Sequence, residues 1–193
     1  MKYQHGPLAA LFCALVLAAC SGPAELNGHD ITGVMPALQY ELINEQDRTV
    51  EAGAHAGTIR LMFFGYTHCP DICPITLGRI KAALSAFPPE ERSAFRVLFV
   101  SVDPQRDTPE RLREYTAYFG EQVIGMTGSQ AQLQALSRRY RVTYGYGEKN
   151  ESGFYEVSHS GGVFVFDREG RARLLFNQSI GPQAMAHDLR TLL

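Results

Sequence analysis

An α/β domain is what the sequence predicts, on three observations. Two near-continuous apolar runs, Ile59 to Phe64 and Phe95 to Val102, read as strands buried on both faces, as in a sheet covered by helices. Each run feeds through a turn into a helical pattern. Near the end of the chain, Val163 to Phe166 and Arg171 to Phe176 flank Asp167-Arg168-Glu169-Gly170 and read as a hairpin.

In chain order, Leu38 to Ile43 alternates in part and pairs in expectation with Thr49-Val50 across the polar stretch Asn44 to Arg48. After the first buried strand, a helix is expected over Ile75 to Phe87, with Ile75, Leu77, Ile80, Leu84 and Phe87 inward and Pro88-Pro89 as its stop. Asp71 is placed to cap it, and Pro74 is tolerated only near a helix start, so Cys73 belongs to the first turn. After the second buried strand, Thr108 caps a helix with Pro109 at its first position, Leu112, Tyr115, Tyr118 and Phe119 inward, and Gly120 at its end. Val123 to Met126 is a short strand. Ser129 caps a third helix with Leu133, Leu136 and Tyr140 inward. Arg141 to Tyr146 and Gly153 to Val157 are extended, Ser158 to Gly162 is a tight bend, and Gly181-Pro182 opens a last helix. This order is a thioredoxin-like layout with an N-terminal extension and an inserted segment before the C-terminal β-hairpin.

The first nineteen residues stand apart. Leu8 to Ala19 is apolar but too short to span a bilayer, and it closes on Leu17-Ala18-Ala19-Cys20. Small residues before a cysteine resemble a bacterial lipoprotein signal, so residues 1–19 are expected to be a leader and Cys20 the lipidated first residue of the mature chain. Residues 20–36, with Gly, Pro, Ser and Asn and little periodicity, are expected to be a flexible tether, with His29 solvated in it. Residues 37–193 then form one domain. The formal charge of −2 and the lack of a basic stripe argue against nucleic-acid binding.

Of four cysteines, Cys13 leaves with the leader and Cys20 takes the lipid, so only Cys69 and Cys73 remain in the domain. A domain of this size needs no staple, and a bridge over so short a loop restrains the unfolded chain little. The pair sits at a strand-to-helix junction, at the carboxyl end of a strand, where α/β sheets gather their chemistry. It can close a disulfide, hold a metal, or attack another disulfide. Two soft thiolates suit copper(I), and a nearby imidazole would let the site hold copper(II) too. Taken alone, His159 in its glycine-flanked bend is by default an exposed turn histidine. His68 adjoins Cys69, but neighbouring side chains diverge; His55 and His187 read as surface residues. Asp103 and Asp107 read as turn and capping residues, while Tyr66 and Phe154 are candidates to shape a pocket.

Three stretches together resemble the SCO/SenC family. They are Phe64-Gly65-Tyr66-Thr67-His68-Cys69-Pro70-Asp71-Ile72-Cys73-Pro74, Ser101-Val102-Asp103-Pro104-Gln105-Arg106-Asp107-Thr108-Pro109, and His159-Ser160 before a strand ending in Asp167. The resemblance runs from Leu38 to Leu193. It implies a membrane-tethered, thioredoxin-fold copper chaperone that helps assemble the dinuclear copper centre of cytochrome c oxidase. Cys69, Cys73 and His159 are then the implied ligands of one copper ion, Cu(I) or Cu(II). Implied partners are the oxidase's copper-binding subunit and other periplasmic copper carriers. Two positions depart from the family: Ser158 stands where an acidic residue often precedes the histidine, and Ala56-Gly57-Thr58 replaces the usual Gly-Lys approach to the strand.

The enzymatic alternative is a thiol-disulfide oxidoreductase that keeps the oxidase's copper-site cysteines reduced, with Cys69 and Cys73 as its catalytic pair. A peroxidase is disfavoured, because Tyr66 and Pro70 stand three residues before the two cysteines where a peroxiredoxin-like site has threonine. A structural zinc site wants four ligands and only three are in view. The expected location is the bacterial cell envelope, facing the periplasm and anchored by lipid. The family points to the inner membrane, and Ser21 lacks the aspartate that retains many lipoproteins there.

Overall fold

The computed structural model describes residues 25–193. The expected leader, Cys13 and the lipidation site Cys20 lie outside the described residues. The elements run β1 (His29–Asp30), β2 (Glu41–Asn44), β3 (Thr49–Glu51), β4 (Ile59–Gly65), α1 (Ile72–Ser85), a single turn α2 (Pro89–Arg92), β5 (Phe95–Ser101) and α3 (Pro109–Ala117). They continue with β6 (Val123–Thr127), α4 (Gln130–Arg139), β7 (Tyr144–Tyr146), β8 (Val157–His159), β9 (Val163–Phe166), β10 (Ala172–Phe176) and α5 (Pro182–Arg190). A 3-10 turn, Ala52–His55, links β3 to β4.

Eight strands form one sheet in the order β1-β10-β9-β4-β5-β6-β2-β3, and β7 with β8 forms a separate two-stranded sheet. Strands β4, β5 and β6 are parallel, and β9 joins β4 antiparallel. This is the expected thioredoxin-like layout, with the β7–β8 hairpin as the insertion before β9 and β10.

Alternation along β4 explains its unbroken apolar run. Leu61 and Phe63 pack with Leu77 and Ile80 of α1, Leu112 of α3 and Leu189 of α5 on one face. Met62 and Phe64 pack with Leu133 and Leu136 of α4, and with Leu38 and Tyr40, on the other. With helices on both faces, neither set of side chains can be polar. The expected caps at Thr108 and Ser129 form: Thr108 Oγ1 accepts from Arg111 N, and Ser129 with Gln132 makes a full capping box.

Several expectations are corrected. Ile75 is 48% exposed and Tyr118 78% exposed. Ile75 sits in the first turn of α1, turned from the sheet, and Tyr118 lies past the last turn of α3. Ser158 and His159 belong to strand β8 rather than to a bend, because Gly145 and Tyr144 of β7 pair with them. Asp71 stands at the N-cap of α1 but its side chain makes no capping bond.

Part of the span expected to be a tether is docked on the domain. His29 and Asp30 pair with Leu175 and Leu174 of β10, and Ile31 is buried. The fully buried Asp188 of α5 secures this edge: its carboxylate accepts from Asn27 N at 3.0 Å, Asn27 Nδ2 at 2.8 Å and Gly28 N at 2.7 Å. Gly28 has no substitute there, since a Cβ would lie 2.7 Å from Phe176 Cδ1. Burial works to raise the Asp188 carboxyl, but the bonds from His187, Asn27 and Gly28 outweigh it and hold the group below the usual carboxylate range.

Asp188→Ala is therefore expected to cost about 3 kcal/mol, since it orphans the buried Gly28 N–H and frees Asn27, and to speed amide exchange at residues 29–31. A carboxyl held low stabilises the fold above its ordinary pKa of about 3.9 and loses that contribution as pH falls below it. Denaturant unfolding from pH 6 to pH 3 should show a steeper loss in the parent than in Asp188→Ala; parallel curves would refute this.

Candidate metal centre

The first sulfurs follow from the end of β4. Gly65 closes the strand, residues 66–71 turn, and α1 begins at Ile72, so Cys69 lies in the turn and Cys73 in the first helical turn. Cys73 N–H donates to Cys69 Sγ at 3.4 Å, which directs that sulfur toward the start of the helix. Both cysteines are free; Cys73 is fully buried and Cys69 partly exposed.

The turn is held from below by a neighbour 40 residues away. Buried Asp107 accepts from Thr67 N at 2.8 Å and from Thr67 Oγ1 at 2.7 Å, and Ser101 Oγ donates to it at 2.5 Å. Asp103 is also fully buried and accepts from Tyr155 OH at 2.7 Å. The turn role expected for these two aspartates understates them: they fix the loop that carries the cysteines and its neighbours.

The imidazole comes from β8. His159 Nε2 lies 3.4 Å from Cys73 Sγ, although the two residues are 86 positions apart. Its ring meets Tyr66 edge-on at 5.8 Å between centroids and Phe63 at 6.0 Å. Nδ1 lies 3.3 Å from Ser160 O, so the tautomer with the proton on Nδ1 donates there and leaves Nε2 bare toward the sulfurs. Burial holds His159 below the usual imidazole range, with the Ser160 contact opposing, so the ring is neutral at pH 7. Burial likewise pushes the Cys73 thiol well up, a backbone bond at Tyr66 opposing.

Donor atoms of Cys69, Cys73 and His159 all lie within 4.8 Å of one another. With metal–sulfur bonds of about 2.3 Å and metal–nitrogen bonds of about 2.0 Å, two donors on one ion lie at most about 4.6 Å apart. Three donors spread evenly about one ion would stand about 3.7–4.0 Å apart at those bond lengths, so shifts of up to about 1 Å would close them on a single ion. Cys69 and His159 line a cleft of about 570 Å³ together with Tyr66, Pro70, Ile72, Tyr146 and Glu156, and Cys73 is buried.

Among the described residues, the other histidines stay out of the group. His68 is exposed, with Nδ1 facing Thr67 Oγ1 at 3.2 Å. His55 lies at the far end of β4, His187 is exposed on α5, and His29 is exposed on β1. Tyr66 shapes the cleft as expected; Phe154 does not line it and is 42% exposed. The exposed Ser158 donates its hydroxyl to Gly145 O at 3.3 Å, across the hairpin.

The sequence profile described as SCO1/SenC matches residues 34–193. The chain belongs to the SCO1/SenC family. It is 36% identical over 132 residues to the mitochondrial SCO1 homolog 1 of Arabidopsis thaliana, which is 67% of this chain and 39% of that longer protein. Bradyrhizobium japonicum ScoI, solved with copper bound, superposes with a TM-score of 0.74 at 32% identity, over 81% of this chain and 99% of that one. The solution structure of apo Sco1 from Thermus thermophilus gives 0.75 at 31% identity, over 89% and 100%. The SCO1/SenC fold thus accounts for the thioredoxin-like layout.

One further site residue was not evident in the sequence. A Cβ on Gly65 would lie 2.6 Å from Cys73 Sγ and 2.7 Å from Phe99 Cε2, so the missing side chain is the space the sulfur occupies. Gly65→Ala is expected to destabilise the fold by about 1–3 kcal/mol through overpacking and to weaken metal binding, as read by denaturant unfolding and metal competition. An unchanged midpoint with unchanged affinity would remove Gly65 from the site.

Proposed function

We propose that this chain is a copper carrier that holds one ion between Cys69, Cys73 and His159 and hands it on during assembly of the dinuclear copper centre of cytochrome c oxidase. The observation that carries this reading is the convergence of two sulfurs and a neutral imidazole nitrogen within 4.8 Å, with Cys69 and His159 lining a cleft. Two thiolates favour copper(I), and the added imidazole suits copper(II). The copper-bound Bradyrhizobium japonicum structure supports copper as the cargo. In this reading the lipid on Cys20 tethers the domain at the periplasmic face of a membrane; among the described residues no helix is long and apolar enough to cross one.

The chemistry follows from the protonation states. Copper replaces the proton on the buried Cys73 thiol, whose charged form is otherwise penalised by burial. A bound cation converts that cost into attraction. His159 needs no proton removed, and its Nδ1 contact to Ser160 O fixes the ring with Nε2 inward. Three protein ligands leave room for a donor from the giving or receiving protein, so transfer proceeds by adding one ligand as another leaves. An oxidised pair would have no thiolates to offer, which makes loading depend on the redox state of the two cysteines.

A second reading, thiol–disulfide exchange, draws on one observation. Cys69 is the accessible sulfur, and it receives the Cys73 N–H bond at the start of α1. His159→Ala separates the two, because it removes a copper ligand and leaves both sulfurs.

Anaerobic copper(I) titration of the reduced chain against a chromophoric chelator should give one ion per chain, lost on replacing either cysteine by Ser. Because binding displaces at least one thiol proton, apparent affinity should fall by about tenfold or more per pH unit as the solution is acidified. Stoichiometric binding that ignores both the cysteine substitutions and pH would sink the carrier reading. Intact disulfide reduction of the acceptor by His159→Ala without copper would favour the second.

A further inference from the structure

We infer that the loop 101–107 is a bracket that sets His159 against the cysteines, with Arg106, Asp103 and Tyr155 as positioning residues for the imidazole. The inference rests on the three-ligand reading and explains how it is achieved geometrically. The β7–β8 hairpin is a two-stranded sheet of its own, unpaired with the main sheet, so its side chains and flanking residues must hold it. Tyr155, just before β8, is buried, and its hydroxyl donates to Asp103 Oδ1 at 2.7 Å. Its backbone carbonyl accepts from Arg106 Nη1 at 3.0 Å, and its ring lies under the Arg106 guanidinium at 3.7 Å. Arg106 pairs in turn with the Asp103 carboxylate. From β7, Tyr146 OH donates to Val102 O at 2.5 Å.

The same short loop grips the other half of the site. Asp107 holds Thr67, two residues before Cys69, by both backbone N–H and hydroxyl. Ser101 joins the halves: its hydroxyl donates to Asp107 and accepts from Asp103 N at 3.1 Å. One side of the loop thus fixes the sulfurs and the other fixes the strand that bears the imidazole. Tyr155 lies four positions before His159, so freeing Tyr155 loosens the approach of Nε2 while leaving both thiols in place.

The two copper oxidation states read this difference. Copper(I) is satisfied by the two soft sulfurs, whereas copper(II) depends more on the imidazole. Loss of an outer partner of a metal-ligating histidine costs about tenfold to a hundredfold in affinity. In the full chain, purified in detergent and reduced, Tyr155→Phe and Arg106→Gln are expected to keep copper(I) affinity within about threefold and to lose copper(II) affinity by about tenfold or more. Their copper(II) paramagnetic resonance should move toward that of His159→Ala, and neither substitution should add a further loss in the His159→Ala background. Without any copper, amide exchange at residues 157–159 should quicken by about tenfold or more in both variants.

Unchanged copper(II) spectra with unchanged exchange would overturn the bracket, as would equal losses of both oxidation states in a folded variant. Tyr155→Phe removes only one hydroxyl and decides the matter where Arg106→Gln does not fold. Should the parent chain bind no copper, the metal reading fails by itself, and the copper-free exchange rates still decide whether loop 101–107 holds the hairpin.

Discussion

The 3.4 Å approach of His159 Nε2 to Cys73 Sγ is the constraint on which the site depends. It joins a helix start to the edge of a separate hairpin, and neither could make a metal centre alone. The approach is possible because the sulfur occupies the room left by the missing Cβ of Gly65 and because Tyr66 and Phe63 flank the imidazole edge-on. The parallel strands β4 and β5 bring their carboxyl ends together at Gly65 and Ser101, so the loops that follow them, one with the cysteines and one with Asp103 and Asp107, emerge side by side.

Burial then gives the site its electrostatic character. A buried thiol resists ionisation and a buried imidazole resists protonation, so Cys73 and His159 both favour their neutral forms. In the proposed reading, an entering cation meets a Cys73 thiol whose proton it can displace and a His159 nitrogen whose lone pair is already free. The pocket thereby favours a soft ion that binds thiolates strongly enough to expel protons. Asp103 and Asp107 do not dilute that preference, since both are turned inward and spent on hydrogen bonds to Tyr155, Thr67 and Ser101.

Much of this was legible in the sequence because its signals were local. The unbroken apolar runs of β4 and β5 announced strands covered on both faces, and Thr108-Pro109 and Ser129 announced helix starts. Cys69 and Cys73 were legible because a strand, a turn and Pro74 fixed where the helix begins. His159 was not legible from its surroundings, since what makes it a partner is the pairing of β8 with β7 and the grip on Tyr155, both set by distant residues. Its prominence came from the resemblance of the whole motif set. The misjudged exposures have the same origin: helical spacing says which residues share a face, but Ile75 at the first turn and Tyr118 beyond the last have no sheet beneath them. Asn27 and Gly28 gave no sign of docking because their partner, Asp188, is 160 residues or more away.

X-ray absorption at the copper edge of the loaded chain tests the central claim most directly. Two sulfur scatterers at about 2.3 Å and one nitrogen at about 2.0 Å are expected, with the nitrogen's imidazole scattering lost in His159→Ala. A first shell without sulfur, or one that His159→Ala leaves intact in both oxidation states, would contradict the account.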